Sequence, residues 1–305
     1  MPSKFFRFLI RLLPKVWQDF LKRVYDNFFL LRHAGKTIGL NNGGVSLLSN
    51  ALKIAFKETI NVIGNLDCSG GRIAMDVGSY RQIRNLRALK KEPETVAWIE
   101  STVKPGDVFY DIGANVGAYS FVAWAHTSAA CKVYAFEPSF STFAALCKNI
   151  FLNDASKSIV PFQVALGRIT ELAPLNYSDI TPGGAAQKFG QEKPDVLCGP
   201  TVHGEEFSQK ILCYKLDDFV KTFNLPQPNH IKLDVDGYEL DVLVGGEATF
   251  SYPRLQSVLI EIDESLPQSK DVYDFFERKN FALISKDKRG GTFNCVFKHK
   301  LQSNA

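Results

Sequence analysis

The sequence predicts an α/β protein built on a mostly parallel, doubly wound sheet that an antiparallel hairpin closes at its C-terminal edge. Three observations point there. From residue 92 onward, short apolar runs alternate with amphipathic stretches. A Gly-containing turn, Asp111 to Gly117, joins the first of these runs to the next helix. The chain then ends on two alternating runs separated by Lys288-Arg289-Gly290-Gly291, which reads as strand, turn, strand.

The elements follow in order. Residues 5–31 place apolar side chains at Phe5, Phe8, Leu9, Leu12, Leu13, Val16, Trp17, Phe20, Leu21, Val24, Tyr25 and Phe28, one face of a helix that Pro14 kinks or divides. A short helix over 47–59 and a strand over 72–77 come next. Pro93 to Ser101 predicts a helix with Pro in its first turn. Strands are expected over 108–112, 132–136, 160–165, 231–235 and 257–262, with helices over 116–125, 142–152, 238–244 and 271–279. The closing strands are 281–286 and 294–298. Between the third and fourth of these strands, residues 168–210 form an insert rich in Gly, Pro and polar residues, which predicts a lid or binding loop. The expected organisation is thus a basic amphipathic helical segment over 1–36, an extension over 37–91 and the α/β domain over 92–300.

Composition narrows the function classes. With 45% hydrophobic and 22% charged residues, the chain has the balance of a globular protein and not of a disordered one. A net charge of +4 does not suggest nucleic acid as a partner. Residues 1–36 carry eight Lys and Arg against Asp19 and Asp26, a net of +6, so the other residues sum to −2. The six cysteines form no Cys-x-x-Cys pair, which argues against a zinc site and favours a reducing, cytoplasmic compartment. No apolar run reaches the ~20 residues of a membrane-spanning helix.

Chemistry is written at the strand ends. In Asp111-Ile112-Gly113-Ala114-Asn115-Val116-Gly117, glycines let a ligand approach the backbone and let the next helix pack on the sheet. Asn115 occupies the second glycine position of the dinucleotide fingerprint, which argues against NAD. The second strand ends on Phe136-Glu137-Pro138, where an acidic residue accepts the two hydroxyls of a ribose. The fourth ends on Asp234-Val235-Asp236-Gly237, two carboxylates suited to orienting or deprotonating an alcohol, or to holding a divalent cation.

Together with Glu92-Pro93-Glu94-Thr95-Val96-Ala97-Trp98-Ile99, Lys148-Asn149-Ile150, Asn153, Val164-Ala165-Leu166-Gly167, Leu216-Asp217-Asp218-Phe219 and Leu259-Ile260-Glu261-Ile262, these runs resemble the FkbM family of methyltransferases. The fullest match is Ile231-Lys232-Leu233-Asp234-Val235-Asp236-Gly237-Tyr238-Glu239. The resemblance covers residues 90 to 298, and the family commonly has Glu where Asp236 stands. It implies a Rossmann-like class I methyltransferase fold with a seven-stranded sheet, S-adenosylmethionine as cofactor, and O-methyl transfer to a hydroxyl of a carbohydrate, glycolipid or related metabolite.

Carried over residue by residue, Asp111, Gly113, Ala114, Asn115 and Gly117 surround the methionine moiety, which has an ammonium and no phosphate. Glu137 and Pro138 hold the ribose, Ser139 and Phe140 border the adenine, and Ala165 and Leu166, ending the third strand, cover its other face. Asp234 and Asp236 face the acceptor, and Asp234 also borders the cofactor. They are expected to work without a metal, because the surrounding residues offer no further ligand set. Glu239 is expected on the helix surface nearby, and His230 and His203 are alternative bases. Two other classes stay open at this point: a binding module that keeps the fold without catalysis, and an NAD-dependent oxidoreductase. Residues 4–31, apolar on one face and basic on the other, are expected on the inner face of a membrane; the alternatives are packing on their own domain or pairing with a second copy.

Overall fold

The computed structural model describes residues 14–15, 18–19, 54, 61–177, 180–183, 188–189 and 207–300. The chain divides into two units, Met1–Val62 and Ile63–Ala305, and every described strand belongs to the second. The amphipathic segment expected over 4–31 lies almost wholly outside the described residues. Within it, the Gln18 N–H bonds to the Pro14 carbonyl, one helical turn. No helix among the described residues is long and apolar enough to cross a membrane.

The second unit opens on an antiparallel pair, β1 (Ile63–Asn65) and β2 (Ala74–Asp76), followed by α1 (Tyr80–Asn85) and α2 (Ala88–Lys91). Then come α3 (Pro93–Thr102), β3 (Val108–Ile112), α4 (Ala118–His126), β4 (Lys132–Phe136), α5 (Phe140–Leu152) and β5 (Ile159–Phe162). Four strands follow: β6 (Ala165–Leu166), β7 (Glu171–Tyr177), β8 (Lys188–Phe189) and β9 (Phe207–Tyr214). The chain continues through α6 (Leu216–Thr222), β10 (His230–Leu233), α7 (Glu239–Gly245), β11 (Ser257–Ile262), α8 (Ser269–Arg278), β12 (Phe281–Arg289) and β13 (Thr292–His299).

The main sheet has seven strands in the order β12-β13-β11-β10-β3-β4-β5. It is parallel from β11 to β5, and the β12–β13 hairpin adds on antiparallel, as expected. Strands of a parallel sheet are covered on both faces, so they must be apolar on both. In β3, Phe109 enters the core under α3, α4 and α5, while Tyr110 and Ile112 enter the core under α6, α7 and α8. Period-two alternation thus divides one strand between two cores.

Three expectations change. The third strand stops at Phe162; Ala165 and Leu166 form β6, which pairs in parallel with Cys213–Tyr214 in a separate four-stranded sheet, β6-β9-β7-β8. The insert is not merely a loop, because its two ends pair as β7 and β9. Pro174 and the long separation of the partners hid that pairing from a local reading. Nor does the body begin at residue 92. Leu66, Ile73, Met75 and Ala88 share one core with Val116, Phe121 and Leu146. Asn149 on α5 and Asn153 just after it accept from the Asp76 and Ala74 N–H groups at 2.7 and 2.9 Å, pinning β2.

The turn after β3 touches the turn after β10. Gly113 has φ +80°, and a Cβ there would lie 1.8 Å from the Asp234 carbonyl oxygen. Helix α4 starts only at Ala118 because Gly117, with φ +91°, still belongs to the turn. Gly113→Ala should therefore destabilise by well over the ~1–2 kcal/mol that left-handed backbone alone costs. Gly106→Ala, at φ +91° with open space around it, should lose only that amount. Chemical denaturation of the two variants measures the difference, and equal losses would mean the turns do not press on one another.

Candidate active site

Strand order reverses between β3 and β10, since the chain passes from β3 outward to β5 and then returns to β10. The connecting turns splay apart at such a point and leave a crevice beyond the carboxyl ends of the strands. A cavity of about 230 Å³ opens there. It is lined by Gly113, Ala114, Asn115, Val116 and Tyr119 after β3, Glu137 and Pro138 after β4, and Asp234, Val235, Asp236 and Tyr238 after β10. Asn85, Ala88, Lys91 and Glu92 close one side, and Val164, Ala165, Leu166 and Leu175 another.

At the apolar side, Glu137 is buried and accepts from the Asn115 N–H through one oxygen and the Ser139 N–H through the other, each at 2.9 Å. Burial outweighs these bonds and pushes its carboxyl up to about 7. Asn115, at φ +52°, donates that N–H from a left-handed backbone, a conformation Asn tolerates better than most residues. Ser139 is fully buried behind the turn. Phe140 packs on Tyr177 and Phe207, and neither Ser139 nor Phe140 lines the cavity.

The opposite side is built on a buried lysine. Lys232 sits beside Asp111 in the β10–β3 register, on the face opposite Ile231 and Leu233. It is 1% exposed, with Nζ 2.9 Å from Asp234 Oδ2 and 5.1 Å from the centre of the Tyr119 ring. Burial by itself would lower the ammonium's pKa, but Asp234, Asp111 and Glu92 together hold it well above the ordinary lysine value. Burial raises Asp111, whose Oδ2 accepts from the Ser120 hydroxyl at 2.6 Å while Oδ1 has no hydrogen-bond partner. Burial also acts to raise Glu92, yet Lys232 and Lys91 overcome it and hold that carboxyl near 2. Asp111 and Gly117 lie behind the cavity wall and do not line it.

The two strand-four aspartates meet in the cavity, and a third carboxylate joins them. Single oxygens of Asp234, Asp236 and Glu261 lie within 4.8 Å of one another, a set that sequence spacing did not bring together. The expectation that no further ligand set exists here is corrected: β11 runs beside β10 and delivers Glu261 to the same end. Burial, with Asp234 adding to it, raises Glu261 to about 7. Asp236 stands at φ +52°, a strained position of the kind that collects at functional sites.

Glu239 is not a surface residue. It is buried, and its Oε1 accepts from the Val235 and Gly237 N–H groups at 3.1 Å, so it braces the loop from within. Burial raises it to about 7. His230 lies at the start of β10, away from the cavity, with Nδ1 2.8 Å from the Ser257 hydroxyl and Nε2 3.4 Å from Asp107. His203 is outside the described residues. Lys232, Glu92, Tyr119 and Glu261 were not singled out for this site from the sequence. The available signal was a lysine inside the otherwise apolar strand Ile231-Lys232-Leu233.

The sequence profile of the Methyltransferase FkbM domain matches residues 111–283. The hexuronic acid methyltransferase AglP of Haloferax volcanii is 26% identical over 228 residues, spanning 74% of this chain and 85% of that protein. The methyltransferase sdnD of Sordaria araneosa is 26% identical over 236 residues, 69% of this chain and 88% of its own. The 31-O-demethyl-FK506 methyltransferase FkbM of Streptomyces tacrolimicus is 27% identical over 207 residues, 60% and 76% respectively.

Three glutamates held near 7, two buried and one (Glu261) partly buried, give the site a pH signature. Glu137, Glu239 and Glu261 titrate above the ordinary value of 4.5, so between 4.5 and 7 the folded chain binds more protons than the unfolded one. Stability must then fall as pH rises through that window, on the order of 3 kcal/mol for one group shifted this far. Glu92, held near 2, acts only below 4.5. The thermal midpoint of the unliganded protein should fall from pH 5 to pH 8, less steeply in Glu137→Gln. A midpoint that climbs over this range would contradict the burial of these carboxylates.

Proposed function

The chain belongs to the FkbM methyltransferase family, and from that premise we propose that it transfers the methyl group of S-adenosylmethionine to a hydroxyl oxygen of a carbohydrate or similar polyhydroxylated metabolite. The observation that carries the reading is the position of Asp234. Its backbone packs on the Gly113 turn and its carboxylate is held at the cavity by Lys232. The relatives whose names state an acceptor are a hexuronic acid methyltransferase and a 31-O-demethyl-FK506 methyltransferase.

The cavity suits this donor. A sulfonium and an ammonium are cations, and the wall is rich in carboxylates. Asp111, with one buried oxygen unpartnered, leaves a free acceptor directly behind the turn. Glu137, at the end of β4, accepts the ribose hydroxyls, while Val164, Ala165, Leu166 and Leu175 form an apolar wall for a purine. When bound, S-adenosylmethionine supplies an electrophilic methyl on sulfur. Asp234 then orients the acceptor hydroxyl and takes its proton as the new C–O bond forms and the C–S bond breaks. Lys232 donates to Asp234 and keeps it aimed, so alignment is set before the acceptor arrives. Asp236 and Glu261 accept further hydroxyl hydrogens of a polyol.

Glu137→Ala should weaken S-adenosylmethionine binding by ~1.5–3 kcal/mol, the cost of hydrogen bonds to a charged group. Asp234→Asn should lower turnover by ~10²–10⁴ with cofactor affinity nearly intact. Calorimetry and methyl transfer to a panel of glycosides measure both. Full turnover in Asp234→Asn would remove it from the acceptor site. Residues 4–31, basic on one face and apolar on the other, support attachment to an anionic membrane surface where a lipid-linked acceptor would reside. Full-length protein should float with anionic liposomes and release as salt rises; a chain starting at Gly39 should stay in solution. Failure of the full-length protein to float would sink the membrane reading.

A further inference from the structure

We propose that Lys91 and Asn85, on the helices that precede the family-matched domain, bind the carboxylate of the donor's methionine. The inference rests on the reading of S-adenosylmethionine as the donor. That amino acid brings two cations and one anion into the cavity. Among the described residues, the charged wall consists of five carboxylates and two lysines, Lys91 and Lys232. The cations meet partners on every side. The anion meets a negative field and needs a nearby donor.

Lys232 is committed. It is buried, bonded to Asp234 at 2.9 Å, and its charge also offsets Asp111 and Glu92. Turning it to a ligand would leave buried acids uncompensated. Lys91 is free of that constraint. It ends α2, its side chain is 43% exposed, and it bonds Glu92 Oε1 at 2.8 Å. An ammonium has three donors, so a second carboxylate fits without loss of the first.

Asn85 supplies a neutral donor on the same wall. Its Nδ2 donates to Asn115 Oδ1 at 3.3 Å, which ties the end of α1 to the turn around the methionine site. The amide has a second hydrogen to offer. The placement of both residues is built in. Buried Asn149 donates to the Val116 carbonyl at 2.9 Å and accepts from the Asp76 N–H at 2.7 Å, clamping the turn and β2 together. The chain leaves β2 directly into α1 and α2.

Calorimetry with S-adenosylhomocysteine and 5′-methylthioadenosine tests this, because the second keeps the nucleoside and thioether but lacks the amino acid. Lys91→Gln should weaken S-adenosylhomocysteine about tenfold, the size of one charge-assisted hydrogen bond, and leave 5′-methylthioadenosine unchanged. Asn85→Ala should act in the same direction by a smaller factor, and Lys91→Arg should retain most of the affinity. Wild-type affinity for S-adenosylhomocysteine in Lys91→Gln overturns the proposal. Equal weakening of both ligands overturns it too, since the effect would then be on the pocket as a whole. If the unaltered protein binds neither ligand, the donor reading itself fails.

Discussion

A single buried ammonium holds the site together. Lys232 lies inside a parallel sheet between apolar Ile231 and Leu233, and its side chain is almost wholly buried. Such a charge is tolerated only when acids surround it closely. Asp111 beside it in the register, Asp234 two residues on and Glu92 from the start of α3 meet that demand. Asp111 and Glu92, both buried, would in turn be costly to bury without the lysine. The set is therefore mutually dependent: β3, β10 and the segment before α3 must come together for the buried ammonium to have its acidic partners. The geometry of the catalytic face follows from satisfying that balance.

The second constraint is contact between two turns. Gly113 leaves no room for a side chain against the Asp234 backbone, so the end of β3 and the end of β10 share one surface. A donor lying on the first turn is then within reach of a carboxylate on the second. Asn115 and Asp236 both adopt left-handed backbone beside that contact. The strain is held in place by bonds from outside each turn: Glu137 accepts from Asn115, and Glu239 accepts from Val235 and Gly237. Two buried glutamates with raised pKa thus act as braces, one per turn.

Residues 63–91 are part of this machinery. Their apolar side chains lie in the same core as α4 and α5, and their last two helices wall the cavity. The resemblance to a known family begins at about residue 90, so nothing in the motifs announced it. The link is Asn149, a polar residue with no exposure that spends both ends of its amide on joining β2 to the glycine turn. It stood in the sequence as part of Lys148-Asn149-Ile150, a run with no evident chemistry.

What the sequence determined by itself was everything that depends on local pattern. Period-two apolar runs, helical spacing and Gly-rich turns define the sheet, its hairpin-closed edge and the strand ends at Asp111–Gly117, Glu137 and Asp234–Asp236, because each needs only neighbours along the chain. The tertiary structure alone decided which distant residues share a face. Lys232 against Glu92, Glu261 against Asp234, β7 against β9 and Asn85 against Asn115 are pairings across 30 or more residues or between strands that only the sheet order makes adjacent. It also decided burial, which turned Glu239 from a helix-surface residue into an internal brace and moved Ala165 and Leu166 from the main sheet to a second one. Charge and burial are properties of a surrounding, and a surrounding exists only once the chain has closed on itself.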